Sequence, residues 1–342
     1  MIIIIITASI LFFGCSQDNE PNNKPEITEL TFKTSFPVAG KQEWYLAIPV
    51  SMKIDDNNNF FICDVSQNKI LHINQKGTLI KKFGRVGRGP GDLFNPIALY
   101  YKNDTIYVSE GIPHWIKWFD TKGNYINGFK VLYVAKSICM VNDKIYTSIL
   151  PRDETGVTNM IFVYNKKGEL INKFGEFLDF VPNLSNIISR SLLLNHNNKL
   201  YVLFAYYPIL RVYSPEGKLL RELTLNESEY RKKFPDRYKW ENFKKRKDSI
   251  ASSPSGLFSS YFIADNYIFI QLHNDNLIDQ YDFSGNLVRR FIIPDVTEGY
   301  LHWDFQIVKE NNYEYTFFII NADSKHLGND APHIDVYTAK LK

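Results

Sequence analysis

One hairpin-sized unit recurs along this chain, and that recurrence limits the fold more than any other feature. Aligned on a shared glycine, five copies read ILHINQKGTLIKKF (Gly77), IKWFDTKGNYINGF (Gly123), IFVYNKKGELINKF (Gly168), LRVYSPEGKLLREL (Gly217) and IDQYDFSGNLVRRF (Gly285). Each opens on an aliphatic residue and carries Ile, Phe or Tyr at its fourth position. Asn, Asp or Ser follows, then two residues, then Gly, and the unit ends on Phe or Leu. The Asn, Asp or Ser side chain can bond the backbone two residues on, and glycine accepts positive φ without a Cβ clash. The flanking residues suit a pleated, half-buried surface. A weaker sixth copy, IDVYTAKL at 334–341, has Leu341 where the glycine belongs.

From Gly77 to Gly123 is 46 residues, from Gly123 to Gly168 is 45, from Gly168 to Gly217 is 49 and from Gly217 to Gly285 is 68. A period of about 40–50 residues marks a propeller blade. A strand signal precedes each unit: FFICD, TIYVSE, KIYTSI, KLYVLF, YIFIQLH and YTFFII. Before these lie further apolar runs, among them IPVSMKI (48–54), PIALYY (96–101), KSICMV (136–141) and DFQIVK (304–309). Each repeat therefore supplies four strands, inner A through outer D. The expected fold is all-β: a six-bladed β-propeller of four-stranded blades over residues 27–342. The last repeat stops after its C strand, and residues 27–36 (ITELTFKTSF) form a spare strand at the other end. That N-terminal strand is expected to close the ring as the missing D strand, removing an open sheet edge. An all-β sandwich predicts no such period.

The apolar run in the opening MIIIIITASILFFGC is too short to span a bilayer as a helix and reads as a signal-peptide core, so residues 1–14 are expected to be removed. Gly14-Cys15 resembles the lipobox of bacterial lipoproteins, which implies lipidation at Cys15. Residues 15–26 then form a lipidated cysteine and a polar tether, SQDNEPNNKPE, anchoring a soluble domain to a membrane. Asp18 and Glu20 resemble the surface-export signal of Bacteroidetes lipoproteins. The expected address is the outer membrane, facing the cell surface or the periplasm. A net charge of +3 on 342 residues gives no basis for nucleic-acid binding. Cys63 and Cys139 fall in apolar strands of non-neighbouring blades and are expected to be buried, unbridged thiols.

Strands alternate in direction within a blade, so D-to-A and B-to-C connections share one face. The C-to-D turns on the other face are short and uniform. The irregular segments, 84–93, 150–159, 226–256 and 322–333, all belong to the first face, which is the expected binding face. In GRVGRGPGDLF (84–94), glycines and the guanidinium groups of Arg85 and Arg88 offer donors to a carboxylate or phosphate, or else shape the crossover into blade 2. No GK[ST] follows, which excludes a phosphate-binding P-loop. Residues 226–256 are expected to form a small helical insertion between blades 4 and 5. It starts on a cap-like Asn226/Glu229, and Tyr230, Phe234, Trp240 and Phe243 supply an apolar stripe.

The loop GRVGRGPGDLFNP, the FDTKGNYI-type hairpins and the lipoprotein start together resemble the six-bladed β-propeller lipoproteins of Bacteroidetes, which are similar to NHL-repeat propellers. That resemblance implies a surface or periplasmic binding module and transfers no catalytic residues. The favoured expectation is a module that binds a glycan, a peptide or a protein partner on the loop face, without a cofactor. Arg85 and Arg88 would address acidic groups, and Trp115, Tyr206 and Tyr207 would stack on sugar or side chains. His114, His273, His326 and His333 lie in or beside B-to-C loops, near Glu110, Asp275, Asp323 and Asp330. The alternative is therefore an extracytoplasmic lyase or hydrolase, resembling streptogramin-type lyases, with a divalent metal or a His/acid site at the channel mouth. No GxSxG, CxxC or HxxEH pattern marks such chemistry in the sequence.

Overall fold

A computed structural model describes residues 24–37, 43–149, 156–178, 189–225, 230, 232, 257–273, 275–294, 300–323 and 332–341. The expected signal peptide (1–14), Cys15, the tether to residue 23 and His326 lie outside the described residues. So does all of the 226–256 insertion except Tyr230 and Lys232, both helical.

The strands form six sheets arranged as a ring. Blade 1 comprises strands A to D at Pro49–Ile54, Phe60–Asp64, Lys69–Ile73 and Leu79–Phe83. Blades 2, 3, 4 and 5 repeat the order, starting at Pro96–Lys102, Ala135–Val141, Ser191–His196 and Phe258–Ala264. All pairings within blades are antiparallel. Blade 6 has strands A to C at Tyr300–Asn311, Glu314–Asp323 and His333–Lys340.

The ring closes through the N-terminal strand, and here the structure refines the expectation. Residues 27–36 are two strands, not one. β1 (Glu26–Glu29) runs parallel to the outer strand of blade 5, pairing Glu26 with Arg289, while β2 (Thr31–Phe36) is the outer strand of blade 6, antiparallel to His333–Lys340. Leu30 sits between them, 2% exposed, packed into the seam between blades 5 and 6. One segment thus pairs with two blades, which explains its loose match to the repeat.

The core is six clusters, one in each seam between blades. Alternation along the B strands builds them. In Phe60–Asp64 every residue is buried; Phe60 and Ile62 face blade 6, and Phe61 and Cys63 face blade 2. Strands with neighbours on both sides read as continuous apolar runs. Cys63 and Cys139 are buried free thiols, and burial pushes both above the ordinary range, which makes them inert.

The hairpin glycine has a role beyond its turn. Gly123 has φ +81, and a Cβ there would lie 2.5 Å from Cγ of Phe83, the last residue of the preceding blade's D strand. The same contact recurs at Gly77 on Phe36, Gly168 on Phe129 and Gly217 on Phe174. The conserved spacing of the repeat thus couples each blade to the next, and Phe36 of β2 completes the series at the closure. Gly285 meets Leu223 at 3.6 Å instead. The A-to-B hairpins on the same face turn through Asn103-Asp104, Asn197-Asn198 and Asp265-Asn266, each pair with φ between 48 and 63 at both residues. Such Asn/Asp dipeptides form two-residue turns of the primed type.

Candidate functional site

The inner strands enter the ring at the expected binding face, and five of the six are irregular at that end. The register with strand B slips between Pro49 and Ser51, Pro96 and Ala98, Ala135 and Ser137, Phe258 and Ser260, and His302 and Phe305. Each slip is a β-bulge, which frees one side chain from the alternation and turns it elsewhere. The freed residues Val50, Ile97, Lys136, Ser259 and Asp304 all line the central channel. Arg190, just before the inner strand of blade 4, lines it too. The cavity holds about 110 Å³, space for roughly four waters at about 30 Å³ each.

Asp304, on the wall of the cavity, is fully engaged. Its carboxylate accepts from Met52 N (2.8 Å), Phe305 N (2.9 Å), Lys53 Nζ (3.1 Å) and the hydroxyls of Ser51 (3.4 Å) and Ser260. Lys136 and Arg190 differ: no acid pairs with either among the described residues. Enclosure by neighbouring blades, and then the charge of Arg190, push the Lys136 ammonium below its ordinary range.

The residues singled out in the sequence lie elsewhere. Arg85 pairs with Asp92, whose other oxygen accepts from Gly89 N at 2.9 Å. Gly87 has no room for a Cβ beside Asp92, and Leu93 is fully buried in the seam between blades 1 and 2. The loop is therefore folded on itself, and the Arg85 side chain, while paired with Asp92, stays 80% exposed. Arg88 lies over the Phe94 ring, 5.6 Å from its centre. Behind the loop, Lys117 is 2% exposed and donates to Asp92 O (2.7 Å) and Glu110 Oε1 (3.2 Å), while Phe94 N donates to the same Glu110 oxygen at 2.9 Å. Burial pushes the Glu110 carboxyl above its usual range against these donors.

His114 takes φ +59 and accepts from Val131 N through its carbonyl (2.8 Å). The ammonium groups of Lys117 and Lys130 lie over the Trp115 ring, 5.8 and 5.9 Å from its centre. Tyr207 is 7% exposed, within the core between blades 3 and 4, and Tyr206 packs against the same cluster. His273 stands in the B-to-C connection of blade 5, its N–H bonded to Leu257 O at 2.9 Å. These side chains fall in three places, beside blade 2, in blade 4 and in blade 5, and none lines the channel. His333 lies 3.4 Å from Asp335. Among the described residues no three His, Cys, Asp or Glu side chains gather closely enough to hold a metal ion. Of the insertion, Tyr230 is fully buried, and its hydroxyl bonds Asp279 (2.7 Å) and Tyr281 in blade 5.

Sequence reasoning misses Lys136 and Arg190. A bulge is invisible in an alternation pattern. The available signal is a charged residue at the start of an otherwise apolar inner strand, as in KSICMV.

No family model matches the chain, and no curated protein does. Solved structures do resemble it. A Bacteroides fragilis protein whose export is inferred has TM-score 0.56 at 9% identity, over 93% of this chain and 100% of that one. A catalytically inactive virginiamycin B lyase from Staphylococcus aureus, solved with quinupristin, has TM-score 0.54 at 12% identity, over 91% and 100%. Regucalcin, a calcium-binding protein from Agrobacterium tumefaciens, has TM-score 0.54 at 11% identity, over 93% and 98%. At these identities the likenesses establish the fold: the chain is a six-bladed β-propeller.

Proposed function

We propose that this chain is a lipid-anchored extracytoplasmic binding module that takes a glycan, a peptide or a segment of a protein partner at the channel mouth, on the face of the D-to-A and B-to-C loops. The observation that carries the reading is the recurring bulge. Five inner strands give up ladder pairing at the same end, and every freed side chain lines one cavity. Bulges are tolerated where a side chain must be re-aimed, often beside a site. The signal-peptide and lipobox pattern supports the address, as does the likeness to a Bacteroides protein of inferred export.

The test is a thermal-shift screen of the purified protein against glycans, peptides, divalent metals and a chelator, repeated with Ser259→Trp. Ser259 stands at a bulge on the channel wall, so an indole there obstructs the mouth. Stabilisation by a glycan or peptide that Ser259→Trp abolishes, with the chelator inert, supports the module. A chelator-induced loss of stability would instead point to a metal-dependent lyase or hydrolase.

A further inference from the structure

We infer that the ligand of this channel mouth is a small anion, of the size of a sugar acid, held by its carboxylate between Lys136 and Arg190. The inference rests on the binding-module reading and adds the chemistry of the ligand.

Three cations, Lys53, Lys136 and Arg190, and one acid, Asp304, line the cavity. Lys53 is consumed: its ammonium donates to Asp304 at 3.1 Å and to Met52 O at 2.8 Å. Asp304 in turn accepts from two backbone N–H groups and two hydroxyls, so it has little capacity left to neutralise anything else. That leaves Lys136 and Arg190 as two positive charges on adjacent blades, without an acid between them among the described residues. Like charges so placed repel; burial first, and then the charge of Arg190, lower the proton affinity of Lys136. A bound carboxylate relieves that repulsion. Arg190 offers a planar fork suited to two carboxylate oxygens.

Size and lining narrow the class. A cavity of about 110 Å³, room for roughly four waters at about 30 Å³ each in the liquid, suits the acid end of a single sugar ring entering from the mouth and not a folded domain. Val50, Ile97 and Leu192 offer apolar wall, and Ser137 and Ser259 offer hydroxyls. Ser137 already accepts from Leu193 N at 3.0 Å, and Ser259 donates to Gln271 Oε1 at 3.1 Å, so both are held in place. An apolar wall with a few fixed hydroxyls and a cationic end describes a site for a polyhydroxylated acid.

The experiment is calorimetric titration of the purified protein with glucuronate, with glucose as its neutral twin and with sulfate, at constant ionic strength. Glucuronate is expected to bind at least about tenfold more tightly than glucose, close to 1.4 kcal/mol. Lys136→Met with Arg190→Met should remove that preference, and Lys136→Gln alone should weaken it if the pair fails to fold. Ser259→Trp should abolish binding of both sugars. Sulfate binding that equals glucuronate, and that the charge variants remove, would keep the anion site but refute the sugar acid. If glucose and glucuronate bind alike and the charge variants change nothing while Ser259→Trp still blocks, the anion inference falls and the binding face survives. Binding that Ser259→Trp leaves intact overturns the face itself. No binding of glucuronate or sulfate at tens of millimolar overturns the inference outright.

Discussion

The contact between each hairpin glycine and the preceding blade's aromatic can be tested with a control built into the chain. Gly123→Ala places a methyl group 2.5 Å from Cγ and 2.6 Å from Cβ of Phe83, at a residue with φ +81. Gly285→Ala imposes the same backbone strain, φ +89, but meets only ordinary contacts of 3.6 Å with Leu223. An L-residue in that region costs about 1–2 kcal/mol. Forcing a methyl into a packed seam adds about 1–3 kcal/mol. Gly285→Ala should therefore cost about 1–2 kcal/mol, and Gly123→Ala about 2–5 kcal/mol. Phe83→Leu recreates the Gly285 arrangement at the Gly123 seam, so the pair should couple favourably, by roughly 0.5–3 kcal/mol. Urea denaturation with a constant m-value reads all four variants. Equal costs at the two glycines, or additive effects of Gly123→Ala and Phe83→Leu, would refute the argument that the repeat's terminal Phe is what holds the glycine in place.

Other consequences concern closure, charge and pH. Phe36 is 2% exposed and packs on Gly77 and Trp44 in the closing seam; Phe36→Ala should cost about 3–5 kcal/mol by urea denaturation, and a cost under about 1 kcal/mol would mean that β2 does not hold the ring shut. Lys117→Met strands the Glu110 carboxylate in a site where both partners are nearly solvent-free, so it should cost about 3–5 kcal/mol, and adding Glu110→Gln should recover part of that. Burial lowers the pKa of His72 and His196 below 6.5. The unfolded chain therefore binds more protons than the folded one as pH falls below about 6.5, and stability drops with it. Urea midpoints between pH 7.5 and 5 should decline, and His72→Gln with His196→Gln should flatten the decline; an unchanged slope would place the titration elsewhere.

The scaffold was legible because its signals are local and periodic. The Asn, Asp or Ser-x-x-Gly turns announced the C-to-D hairpins of five blades, and the B strands, buried on both faces, read as largely apolar runs. The splitting of the N-terminal segment at Leu30 was not legible, since β1 and β2 choose partners some 260 and 300 residues away. The site was harder. Arg85 looks like a free guanidinium until Asp92, seven residues on, folds back onto it. Tyr207 looks like a loop aromatic until blades 3 and 4 close around it. Lys136 looks like an ordinary strand-end charge until the bulge turns it into the channel. In each case the deciding partner lies beyond the local pattern.

The central claim is that ligands enter at the channel mouth between the starts of the inner strands. Hydrogen–deuterium exchange on the full protein, with and without saturating glucuronate, tests it directly. The account predicts added protection at residues 49–52, 96–99, 135–138, 190–193 and 258–261, and none at the C-to-D hairpins around Gly77, Gly123 and Gly168. Protection confined to those hairpins or to the outer strands would contradict it.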